Sequence, residues 1–162
     1  VWTKRKNVLR KNQMGDLNSF SKRIRILGKR VEENSDALVR KVAVAIDTTV
    51  VLATPVNTGR ARSNWQVGIG AAPTGTLGSY GAGSSANVAI ANGKRVIQQY
   101  NERHAGKYIH ITNNLPYIVP LNNGHSAQAP AGYVEKAVVV GVATVQGASS
   151  LLSENIGDHY NG

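Results

Sequence analysis

Apolar residues from Asp16 to Ala53 recur at helical spacing: Leu17, Phe20, Ile24, Leu27 and Val31, then Leu38, Val42, Ala45, Thr49 and Leu52. Steps of three, four and seven draw one stripe down a helix. Asn34 and Ser35 interrupt the stripe, so the pattern fits one long helix or two in sequence, with Asp16 as N-cap of the first and Asn34 or Ser35 as N-cap of the second. In the first half the bases lie opposite the stripe. From Ala37 to Ala53 the chain is apolar nearly all round, which predicts packing on most sides. Pro55 ends the helix, because the residue before a proline is pushed out of the helical region.

A bend follows. Thr58 can cap, Gly59 permits the turn, and Arg60 to Asn64 suit one helical turn. Trp65, Val67 and Ile69 then alternate as in a strand. Gly70 to Ala86 is rich in Gly, Ala, Ser and Thr and predicts a flexible loop, dispensable for the fold and suited to contacting a neighbour. Asn87 to Tyr100 is helical in pattern but weakened by Gly93. Tyr108 to Asn113 alternates again, as a second strand. Leu115 to Ala131 holds Pro116, Pro120, Pro130 and the Asn122-Asn123-Gly124 turn signal. Tyr133 to Val145 is valine-rich at its centre, which favours a strand, yet the Ala-Gly before it and the Glu135–Lys136 pair favour a helix; helix is the reading preferred. The predicted class is α+β: a long N-terminal helix, or two consecutive helices, packed on a small antiparallel sheet, with a C-terminal helix. The organisation expected is a basic arm over 1–13, a single domain over 14–146 and a loose tail over 147–162.

Charge changes this picture at one end. Residues 1–30 hold ten Lys or Arg (Lys4, Arg5, Lys6, Arg10, Lys11, Lys22, Arg23, Arg25, Lys29, Arg30) and one acid, Asp16, for a net +9. The other 132 residues sum to only +1, out of +10 for the 162-residue chain. Such a segment seeks a polyanion or an acidic protein surface. The chain has no cysteine, which excludes disulfides and thiolate metal sites. The longest apolar run, Lys41 to Pro55, is broken by Asp47, Thr48 and Thr49, and no signal core follows the basic start. A soluble, unsecreted protein without membrane partners is expected.

Candidate chemistry is sparse. His104, His110, His125 and His159 form no i, i+4 pair, so a metal site would need ligands converging from scattered places. His125-Ser126 lacks the Gly-x-Ser-x-Gly elbow of a hydrolase nucleophile, and the glycines after residue 68 match no phosphate-binding signature. No catalytic residue, metal ligand or cofactor is predicted. Phosphate contacts by the basic segment would be salt-dependent and blind to sequence, with Trp2 as its one stacking aromatic.

Two stretches are more specific. The first runs Thr54-Pro55-Val56-Asn57-Thr58-Gly59-Arg60-Ala61-Arg62-Ser63-Asn64-Trp65. The second runs Ile111-Thr112-Asn113-Asn114-Leu115-Pro116-Tyr117-Ile118, followed by Leu121-Asn122-Asn123-Gly124-His125-Ser126 and Ala129-Pro130-Ala131-Gly132. In order and spacing, from Met14 to about Val145, the chain resembles the tail-component family of tailed bacteriophages: tail completion, tail terminator and head–tail joining proteins. It departs from that pattern at Asn57, where Asp is commoner, and at Asn122, where many members carry Glu.

The resemblance implies a non-enzymatic virion protein of the neck or tail, made in the host cytoplasm. It would form a homo-oligomeric ring, six subunits expected, between the head connector or adaptor and the tail tube or sheath proteins. DNA would pass through the lumen, and the ring would end growth of the tail tube. Pro55, Thr58, Gly59, Trp65, Asn113, Pro116, Tyr117, Gly124, Pro130 and Gly132 are the motif positions expected to fix the fold. The alternative reading is a small basic nucleic-acid-binding protein.

Overall fold

The computed structural model describes residues 2–143, with side chains from Ser19 onward. The elements are α1 (Trp2–Ala53), α2 (Arg60–Ser63), β1 (Gln66–Ile69), α3 (Ser85–Ile97), a 3-10 turn (Glu102–His104), β2 (Ile109–Thr112), α4 (Ile118–Asn122) and α5 (133–143). The class is α+β, as predicted, and α5 is a helix. The expected tail over 147–162 lies outside the described residues.

Helix α1 is a single helix of 52 residues that passes through Asn34 and Ser35 without a break. It begins at Trp2, so the stretch read as a separate arm over 1–13 continues into it, and Asp16 lies inside the helix rather than at its cap. Residues 2–15 are mostly Lys, Arg, Asn, Leu, Gln and Met, and the straight-chain members among them keep side-chain freedom in a helix. The chain divides into two compact units between Ser35 and Asp36.

In the first unit, Phe20, Ile24, Ile26, Leu27 and Val31 are exposed, as are the cations around them. In the second, residues 42–51 of α1 are all buried or half-buried, which fits their all-round apolar character. Its core gathers Val50 and Val51 of α1, Trp65, Ala89 of α3, Ala129, and Tyr133 and Ala137 of α5.

Strands β1 and β2 pair antiparallel, Gln66 with Thr112 through Ile69 with Ile109. Helix α3 crosses β1 at Gly93, where an added Cβ would sit 2.3 Å from Asp47 Oδ2 of α1 and 3.1 Å from Val67 Cγ2. The glycine that weakens the helical pattern of α3 is thus the point where α1 and β1 close on it. Gly93→Ala is expected to destabilise by about 1–3 kcal/mol through overpacking, despite alanine's better helix propensity. The cost should shrink when Asp47→Ala is combined with it, as a urea-melt double-mutant cycle would show.

Two loop expectations change. The segment between β1 and α3 has no regular structure, but it is tied down rather than flexible. Asn64, fully buried, donates from Nδ2 to Leu77 O at 2.9 Å and accepts from Leu77 N at 2.6 Å. Ser63 Oγ accepts from Tyr80 N at 2.9 Å, and Asn114 Nδ2 donates to Pro73 O and Gly75 O. The proline-rich stretch also contains a helix, α4. Pro120 fits there as the third residue of its first turn, where no intrahelical partner awaits its absent N–H.

Candidate functional site

The two motif stretches meet at the C-terminal end of α1. Thr54 is fully buried, and its hydroxyl donates to Val50 O at 2.6 Å while accepting from Trp65 Nε1 at 2.8 Å. One side chain therefore joins the last turn of α1 to the indole of the residue just before β1. Arg62 of α2 completes the stop: Nε donates to Thr54 O at 2.8 Å and Nη2 to Leu52 O at 3.1 Å. These carbonyls lie where α1 has lost its i+4 donors, and a cation there also suits the negative end of the helix dipole.

Gly59 turns the chain with φ +80°, and an added Cβ would lie 2.5 Å from Gly81 O. No other residue type fits both the conformation and the space. Thr58 assists only loosely, its hydroxyl 3.4 Å from Arg60 N. Ser63 Oγ donates back to Gly59 O at 2.9 Å.

The second stretch docks onto this bend at two places. Asn113 Nδ2 donates to Ala61 O at 2.9 Å, and Gln128 Oε1 accepts from Val56 N at 2.9 Å. Asn122 ties α4 to α5: its Oδ1 accepts from Val134 N at 3.0 Å, and its Nδ2 donates to both carboxylate oxygens of Glu135 at 3.0 and 3.1 Å. The Glu135 carboxyl is held below the usual range first by its own backbone N–H and then by Asn122. Gly124 and Gly132 have φ +87° and +74°, and Gly132 N donates to Asn122 O at 2.7 Å. Pro116, Tyr117 and Pro130 are exposed at the rim.

Between the two stretches lies an open cleft of about 270 Å³, bordered by Pro55, Asn57, Arg60, Tyr117, His125 and Ser126. A second hollow of about 300 Å³ opens on the other side of Pro55, against Leu52, Tyr133, Lys136 and Val140. The first has a mixed lining: Pro55, Val56, Ala61 and Leu121 are apolar, and Asn57, Arg60, His125, Ser126 and Gln128 are polar. Ser126 is occupied in its own turn, accepting from Gln128 N at 3.2 Å. His104 accepts from Asn101 N at 3.2 Å and stacks on Tyr100, and His110 meets the edge of Tyr108; His159 lies outside the described residues. Among the described residues, no three His, Asp or Glu side chains stand close enough to hold a metal ion. Among them, too, no helix is long and apolar enough to cross a membrane.

The predicted basic contacts belong to the first unit. Lys22, Arg23, Arg25, Lys29 and Arg30 are exposed along the first unit of α1, and Lys4, Arg5, Lys6, Arg10 and Lys11 lie on its preceding turns. Sequence reasoning missed Asn64, Arg62 and Gln128, whose partners are backbone groups of distant residues. Asn64→Ala would strand the Leu77 amide and carbonyl in a partly buried place. It should cost about 2–3 kcal/mol and speed amide exchange at Leu77 before the core opens, as hydrogen exchange would register. No family model, curated protein or solved structure matches this chain.

Proposed function

We propose that this protein is a structural subunit of a tailed-bacteriophage neck or tail: a ring, six subunits expected, that joins the head connector to the tail and ends the tail tube. One observation carries the reading furthest. Large apolar side chains stand uncovered on two helices: Phe20, Ile24, Ile26, Leu27 and Val31 on α1, and Val138, Val139, Val140 and Val142 on α5. Val139 is 67% exposed and Phe20 60%. Exposed apolar side chains in such number mark protein contacts. The convergence of the two motif stretches adds support, because their residues act on one another and on the end of α1. Their work is to hold a shape, the task of an assembly subunit.

Light scattering combined with negative-stain microscopy tests the proposal. A discrete ring is expected, and Val139→Glu on α5 should disperse it while the subunit still melts cooperatively. A monomer across the micromolar range that also fails to join necks in an assembly extract overturns the ring.

The nucleic-acid reading draws on one feature, the exposed cations of α1. Phosphate binding by those cations would leave the exposed apolar side chains of α1 and α5 without a partner, so it ranks second. Salt-sensitive retardation of DNA by the isolated subunit would promote it.

A further inference from the structure

The apolar stripe on the first unit, exposed from Phe20 onward, has a finer order than general stickiness. Leu17, Phe20, Ile24, Leu27 and Val31 follow alternate steps of three and four. That is a seam two residues wide per heptad, narrower than the face by which a helix usually joins a globular core or lies on a lipid surface. β-branched Ile24 and Val31 take one seam position, and Leu27 and Phe20 the other. Ile or Val in the first with Leu in the second favours a two-stranded coiled coil. Asn34 ends the apolar run at the next seam position.

The flanks say what the second strand is. One edge of the seam carries Arg23 and Arg30, and the other carries Ser21, Gly28 and Ser35. Lys22, Arg25 and Lys29 stand behind, and no acid lies between Leu17 and Val31. A second copy is a poor complement. In a parallel self-pair Arg23 faces Gly28 of the copy and gains no acid; in an antiparallel pair the Arg edges face each other. Gly28 adds an independent sign. It sits in mid-helix at a cost of about 0.5–1 kcal/mol relative to alanine, yet a Cβ there would meet nothing within 4 Å. Nothing inside the subunit requires that glycine, whereas a partner helix drawn close along that edge would.

We infer that residues 17–31 of α1 form one strand of a heteromeric two-stranded coiled coil, whose other strand is a helix of another protein with an apolar seam and acidic residues facing Arg23. The inference stands on this helix alone and does not depend on the ring.

The test uses the full chain and two labelled synthetic peptides of about four heptads each, Leu at both seam positions, one with Glu and one with Lys on both flanks. Fluorescence anisotropy should show one-to-one binding of the Glu peptide, weakening at least about tenfold as salt rises from roughly 50 to 500 mM. The Lys peptide should bind at least about a hundredfold more weakly, given the number of like charges it would bring together. Leu27→Glu should abolish binding, and Arg23→Glu should weaken it, with the urea melt of the second unit unchanged in both. No binding of the Glu peptide, or equal binding of both peptides, overturns the inference. So does self-association of the free chain that Leu27→Glu removes, which would make the occupant a second copy. Binding to phosphatidylserine vesicles that the same substitution removes would make it a membrane, with the same consequence. Ring formation is scored separately, so either idea can fail while the other survives.

Discussion

Trp65→Ala is expected to cost about 3–5 kcal/mol, the range for removing a large aromatic from a core. That is a large share of the roughly 5–15 kcal/mol that holds a domain of this size together. The ring is 8% exposed and packs in one cluster with Val50, Val51, Ala89, Ala129, Tyr133 and Ala137. Its N–H bond to Thr54 also goes, leaving a fully buried hydroxyl with one partner fewer. Trp65→Phe separates the two contributions: it keeps most of the apolar contact, loses the N–H, and should cost about 1–2 kcal/mol. Urea melts followed by circular dichroism measure both. A Trp65→Ala protein that melts as the parent does would make Trp65 dispensable to the core.

The second large effect depends on pH. Asp47 is 2% exposed between α1 and α3, and one of its carboxylate oxygens, Oδ1, has no hydrogen-bond partner. Burial pushes its pKa from 3.8 up to about 7. The folded state therefore favours the neutral acid, while the unfolded chain releases the proton near 3.8. Stability from this group is complete below about pH 4, falls as pH rises towards 7, and is flat above. The span corresponds to roughly 4 kcal/mol at most, since each pKa unit is about 1.4 kcal/mol. Asp47→Asn keeps the shape and removes the charge. It should stabilise the protein by about 2–4 kcal/mol at pH 8 and by almost nothing at pH 4. Denaturation midpoints of both proteins across that range decide it; a difference that stays constant with pH would mean that Asp47 is ionised in the fold.

Much of the architecture is legible in the sequence because its causes are local. The stripe from Leu38 to Leu52, the stop at Pro55, the positive φ of Gly59 and the alternation around Val67 and Ile111 each need only near neighbours. The bend of the candidate site is legible for the same reason. What the sequence hides has distant causes. Asn64 sits two residues before β1 as an unremarkable polar side chain, and its task depends on the backbone of Leu77. That bond turns a composition typical of loose chain into a pinned loop. Asp47 reads as a flaw in an apolar run and Gly93 as a flaw in a helix, yet they lie against each other. Arg62 looks like one more surface cation until α1 is seen to end beneath it. Helix α4 is masked by prolines at 116 and 120, one of which stands outside the helix and the other in its first turn.

The bond between the Trp65 indole and the Thr54 hydroxyl also provides an optical handle. The chain contains two tryptophans, so Trp2→Phe leaves Trp65 as its sole indole emitter. Shielded from water, that indole should fluoresce at shorter wavelength than a free one and resist quenching by iodide. Because it touches the core at the point where α1 ends and the sheet begins, its emission follows that junction alone. A ring or a coiled-coil partner could then be titrated onto the protein while the integrity of the bend is read in the same cuvette.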